Sequence, residues 1–182
     1  ARIPIAVQAI AFDLLNGGDK SWGRMPPYWE LGWQAAEQAR DGPFGLGSVG
    51  GGRGTTTANL KGGLGSASAV TASGFRVGAL VVVNAVGTVT VGETRHFWAA
   101  PFEVEAEFGG HGNPTRVAPE ALALRMKGGA PPSTTIGLVA TDARLTKAQA
   151  KRLAQMADDG LARAVRPNGR VVATDIDGQV LD

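Results

Sequence analysis

The sequence predicts a layered α/β domain, and three observations carry that prediction. Short apolar runs bounded by turn formers alternate with stretches of helical spacing. The 182 residues are 43% hydrophobic, enough for one shared core without disulfides. The order that emerges is strand, helix, glycine-rich loop, paired strands, excursion, strand, helix, strand, the pattern of sheets with helices packed on their outer faces.

Residues 3–15 read as a buried strand ending in a polar turn at Asn16, Gly17, Gly18 and Asp19. After Pro26 and Pro27, the recurrence of Trp29, Trp33, Ala36 and Ala39 predicts a helix with one apolar face, ending near Gly42 and Pro43. Residues 42–65 are too dense in glycine to pack as a regular element; with Arg53, three consecutive threonines and Lys61 they read as a loop, a common setting for a site. Residues 67–91 alternate small polar and apolar side chains, as two strands turning near Ser73 and Gly74 would.

Residues 92–130 keep no period and read as a long excursion with a short helix at 120–126. Pro131 and Pro132 close it, and a strand starts at Thr134, running through Ile136, Leu138, Val139 and Ala140. The clearest helix follows. Thr146 is its cap, Gln149 the capping-box partner, and Leu153, Met156, Ala157, Leu161 and Ala164 form its stripe. Residues 171–181 read as a strand and a turn at Asp177 and Gly178, and no internal repeat is evident. Both ends look cut from a longer polypeptide.

Eighteen basic and 16 acidic side chains are mixed along the chain for a formal charge of +2, which argues against nucleic acid as a partner. With no cysteine there is neither disulfide nor thiolate chemistry, and His96 and His111 lack the spacing of a zinc helix, so no metal or cofactor is expected. The longest apolar stretch, 77–91, is broken by Gly78, Asn84 and Gly87 and is too short to cross a bilayer, so no membrane association is expected. The expected compartment is the cytoplasm, with the periplasm as the alternative.

A nucleophile must then come from serine, threonine or lysine. No G-x-S-x-G elbow occurs, and Gly45, Gly47 and Gly50, although spaced as G-x-G-x-x-G, follow a predicted helix where a dinucleotide site needs a strand. Ser133, Thr134 and Thr135 stand where a proline-stiffened loop meets a strand, a junction that suits either backbone strain or an ordinary strand start.

The segment 132–143, Pro-Ser-Thr-Thr-Ile-Gly-Leu-Val-Ala-Thr-Asp-Ala, followed by the Thr146 helix, resembles the start of the nucleophile-bearing subunit in the DmpA family of self-processing aminopeptidases and amidases, and most closely its nylon-oligomer-hydrolase branch. Residues 3–13, the Gly-Gly-Leu-Gly-Ser-Ala-Ser run at 62–68 and the Val-Val-Val-Asn-Ala-Val-Gly run at 81–87 resemble further family segments in the same order, covering nearly the whole chain and least well residues 92–130.

The resemblance implies an αββα sandwich of the N-terminal-nucleophile hydrolase type. It implies a single hydrolase domain, 1–182, cut between Ser133 and Thr134 into an α part, 1–133, and a β part, 134–182. Thr134 would be the nucleophile, Lys61 a polar partner, Asn84 an oxyanion donor, and Asp175 and Asp177 the acidic pair near the nucleophile. Ser133 stands where the family often has asparagine, and Phe12 replaces a tyrosine of the oxyanion region, which shifts that work to Asn84. The implied substrate is a small linear amide, with release of N-terminal L- or β-amino acids as the rival and a non-cleaving homologue as a third reading. The implied partners are the chain's own processed subunit and further copies in a homotetramer.

Overall fold

The structure, a computed structural model, describes residues 8–123, 125–127 and 134–166. Its centre is a three-stranded antiparallel sheet in the order β1-β2-β3, made of β1 (Gly63–Val70), β2 (Arg76–Val83) and β3 (Ile136–Thr141). β1 and β2 form the expected hairpin. Its turn closes because Thr71 serves twice, its N–H donating to the Phe75 carbonyl at 2.8 Å and its hydroxyl accepting the Phe75 N–H at 3.0 Å. Gly74 occupies φ +85°, which a side chain would resist. The register runs from Gly63 opposite Val83 to Val70 opposite Arg76.

β3 pairs with the other edge of β2, from Val77 opposite Thr141 to Val82 opposite Ile136. Asp142 fixes that register at its far end: its carboxylate accepts the Arg76 backbone N–H at 2.8 Å and meets the guanidinium at 3.4 Å. Thr141 adds a hydroxyl bond to the Arg76 carbonyl at 2.8 Å.

Helix α1 (Tyr28–Glu37) begins after Pro27, carries Glu30 in its first turn, and ends at Gln38, short of Gly42. Gln34 donates to Glu30 at 2.8 Å and Trp29 stacks on Trp33, both pairs one helical turn apart, and no residue of the helix is buried. Helix α2 (Lys147–Ala164) has the capping box read from the sequence: Thr146 Oγ1 accepts the Gln149 N–H at 3.3 Å, and Gln149 Oε1 accepts the Thr146 N–H at 2.8 Å. Beyond its C-terminus, Thr88 and Arg166 exchange two backbone bonds of 2.9 Å, and the Arg166 guanidinium lies 4.6 Å over the Trp98 ring.

Three expectations change. Residues 8–13 form no strand, because among the described residues no strand pairs with them; the Phe12 carbonyl is taken by a side chain instead. The short helix expected at 120–126 is a 3-10 turn over Pro119–Leu122, since Pro119 starts a turn that Ala123 leaves in extended conformation. The paired strands lie four residues earlier than read at one end and stop eight earlier at the other, where Asn84 leaves the ladder. The strand expected at 171–181 lies outside the described residues. A mixed α/β fold with an antiparallel sheet and two helices is what the described residues make.

The buried part lies beyond the end of β2. Among the described residues its apolar members are Ala85, Val91 and Val165, interleaved with buried Thr55, Thr57, Asn84, Thr88 and Thr90.

Candidate active site

The glycine-rich segment before β1 folds back on the sheet by backbone bonds. Gly47 and Leu64 exchange two bonds of 2.8 Å, a 3-10 turn follows at Gly50–Gly52, and the buried Thr55 hydroxyl donates to the Gly52 carbonyl at 3.0 Å. Gly45, Gly47 and Gly50 therefore line a structural crossing, since no strand-to-helix turn follows them. Gly62 donates its N–H to the Thr55 carbonyl at 2.8 Å and approaches β2 so closely that an added Cβ would collide with the Val83 carbonyl oxygen.

That approach puts residues 55–62 against 84–90. Ala58 N–H donates to the Gly87 carbonyl at 2.8 Å, and Asn59 Nδ2 donates to Thr90 Oγ1 at 2.7 Å. The first residue past β2, Asn84, is wholly buried here. Its Oδ1 accepts from Lys127 Nζ at 2.7 Å and from the Thr56 N–H at 3.4 Å, and its Nδ2 donates to the Phe12 carbonyl at 3.1 Å. These partners fix the amide's orientation, because an ammonium can only donate and a carbonyl can only accept. One Nδ2 hydrogen is left without a partner among the described residues.

Thr134 comes to the same end of the sheet. The last β2–β3 pair is Val82 with Ile136, and Asn84 lies two residues after the one as Thr134 lies two before the other. Thr134 is half-buried, and the hydroxyl of the adjacent Thr135 is buried with no partner among the described residues. The last β1–β2 pair is Gly63 with Val83, next to Gly62 on one strand's side and Asn84 on the other's, with Lys61 one residue further. Lys61 is exposed and bridges Thr56 through the backbone, and it is not among the partners of Asn84. Asn84, Thr134 and Lys61 each lie within two residues of the strand ends at this side of the sheet. Ser133, Asp175 and Asp177 lie outside the described residues.

Sequence reasoning missed Lys127. It sits in the stretch read as an excursion, with no motif around it, and only its contact with Asn84 marks it. Its backbone N–H donates to the Val86 carbonyl at 3.0 Å, and burial pushes its ammonium below the usual lysine range. Phe12, which stands at a tyrosine position by resemblance, contributes its backbone carbonyl. His96 and His111 meet edge to face at 6.3 Å, with His96 Nδ1 2.9 Å from the Gly112 carbonyl. Among the described residues, no three His, Asp or Glu side chains gather as a metal site would need, and no helix is long and apolar enough to cross a membrane.

The sequence pattern of peptidase family S58 matches residues 9–177. The chain belongs to that family. An uncharacterized aminopeptidase of Mycobacterium tuberculosis (strain H37Rv) is 39% identical over 168 residues, covering 91% of this chain and 47% of the relative. An uncharacterized aminopeptidase of Mycobacterium leprae is 38% identical over 175 residues, covering 91% of this chain and 46% of the relative. This S58 chain thus spans about half the length of the curated relatives it matches.

Proposed function

We propose that this S58 chain is part of a self-processing N-terminal-nucleophile amide hydrolase with Thr134 as nucleophile. The observation that supports the reading is the Asn84 amide, buried and oriented with a hydrogen to spare two residues past the last β2–β3 pair, Val82 and Ile136, which Thr134 precedes by two. A threonine hydroxyl is a weak nucleophile, and the α-amine freed by a cut before Thr134 would supply its base, with a pKa near about 8.

In the precursor the Thr134 hydroxyl attacks the Ser133 carbonyl carbon. The bond to the Thr134 nitrogen breaks, leaving an ester and a free amine, and water then hydrolyses the ester to separate the part ending at Ser133 from the part beginning at Thr134. Asp175 or Asp177 is the base for that first step. On a substrate amide the same hydroxyl forms an acyl-enzyme, its proton passes through the α-amine to the leaving amine, and water releases the acid. Asn84 Nδ2 donates to the oxyanion, and Lys61 holds the Thr134 amine and hydroxyl in line.

The sequence resemblance favours linear amide oligomers of the 6-aminohexanoate type as substrates. A second reading, an aminopeptidase releasing L- or β-amino acids, is favoured by the names of the mycobacterial relatives. Both share the Thr134 chemistry, an αββα sandwich, and assembly of processed chains into a homotetramer.

Intact mass and N-terminal sequencing of the full-length protein beside Thr134→Ala test the reading. A fragment beginning Thr-Thr-Ile in the wild type and absent from the variant supports it. An uncut wild type points to a non-cleaving homologue, and cleavage that survives in the variant removes Thr134 from the role.

A further inference from the structure

We propose that Lys127 is a positioning residue of this site, its ammonium clamping Asn84 Oδ1 so that the amide's free hydrogen stays aimed where Thr134 chemistry develops negative charge. The role rests on the hydrolase reading above and adds a residue to it. The geometry is specific on both sides. The Lys127 Nζ contact at 2.7 Å is the shortest the Asn84 side chain makes, and it is charge-assisted, which makes it the strongest of the three.

An amide held only by the Thr56 N–H at 3.4 Å and the Phe12 carbonyl at 3.1 Å would have a weak tie on its oxygen side and could rotate. An oxyanion donor works by being fixed in advance, so rotation is where rate would be lost. Lys127 is itself fixed. Its backbone bonds Val86, two residues beyond Asn84, so ammonium and amide are carried by one short piece of structure.

Lys127 also lies seven residues before Thr134, on the part that remains with Asn84 after the cut. The clamp is thereby available both to the precursor and to the mature enzyme. Partial burial, which lowers the ammonium's affinity for its proton, shields the contact in part from bulk water, and a charge-to-amide bond is stronger where there is less water.

The test compares full-length wild type, Lys127→Met, Lys127→Arg, Asn84→Ala and the Asn84→Ala, Lys127→Met pair. The readouts are the self-cleavage rate and kcat and KM on the linear 6-aminohexanoate dimer and on an amino-acid p-nitroanilide. Lys127→Met should lose kcat by on the order of 100-fold with KM little changed, the cost of a mis-set catalytic group. Lys127→Arg, which restores a cationic donor on a similar stem, should recover most of that loss.

The double variant should be no slower than Asn84→Ala, because Lys127 acts through Asn84. Thr134-dependent activity that keeps full kcat in Lys127→Met, or losses that add in the double variant, overturn the Lys127 role alone. Absence of both cleavage and amidase activity in the wild type, or their survival in Thr134→Ala, overturns the hydrolase reading and the clamp with it. Should Lys127→Met not fold, Lys127→Gln takes its place, and a failure of Lys127→Arg to exceed it in kcat counts against the clamp.

Discussion

Replacing Asn84 by alanine removes three hydrogen bonds at once at a position with no exposure and leaves their half-buried partners behind. The bond from the Lys127 ammonium is charge-assisted and worth about 1.5 to 3 kcal/mol, while that to the Phe12 carbonyl is worth about 1 kcal/mol. The 3.4 Å contact from Thr56 adds little. The sum is about 2.5 to 4 kcal/mol, a large share of the roughly 5 to 15 kcal/mol by which a domain is folded. For a chain of 182 residues that is a fall in Tm of about 5 to 16 °C.

Asn84→Asp separates stability from catalysis. It keeps the shape and gives Lys127 a carboxylate, while its second oxygen faces the Phe12 carbonyl as one acceptor against another, so it should melt between Asn84→Ala and wild type. It also removes both Nδ2 hydrogens, so self-cleavage and amide hydrolysis should fall by about 100- to 1,000-fold, as on loss of one oxyanion donor. Thermal melting followed by circular dichroism, beside a cleavage time course, reads both quantities. An Asn84→Ala protein melting within about 1 °C of wild type, far less than a ΔΔG of 3 kcal/mol demands, would refute the reasoning about the buried amide.

Gly62→Ala should destabilise the fold by about 1 to 3 kcal/mol, because the added methyl meets the Val83 carbonyl and the Thr55 hydroxyl, neither of which can swing away; urea unfolding measures it. The lowered proton affinity of Lys127 sets a pH dependence with a definite sign. Between its folded pKa and the unfolded value of 10.5 the unfolded chain holds more protons, so stability rises with pH through that window and is level below it, and the rise should be missing from the urea titration of Lys127→Met.

The elements legible in the sequence are those whose signals are local. The α2 capping box joins Thr146 to Gln149, three residues on, and the hairpin turn is settled by Thr71, Gly74 and Phe75 within five. The stretch 8–13 shows the limit of such reading, since its apolar residues suit a strand, and a strand exists only where another edge completes its ladder. The family resemblance marked Thr134, Lys61 and Asn84, and residue patterns alone did not choose among serine, threonine and lysine.

By itself, the sequence determined the two long helical and hairpin segments, the absence of thiol chemistry, and the family to which the chain belongs. Only the tertiary structure decided that Asn84 is held by Phe12, Thr56 and Lys127, which lie 72, 28 and 43 residues away from it along the chain. The reason is physical. Those contacts follow from how the loops close over the end of β2, through the Lys127 backbone bond to Val86 and the close approach that Gly62 allows, and both are properties of packed chains with no trace in the spacing of residues along one.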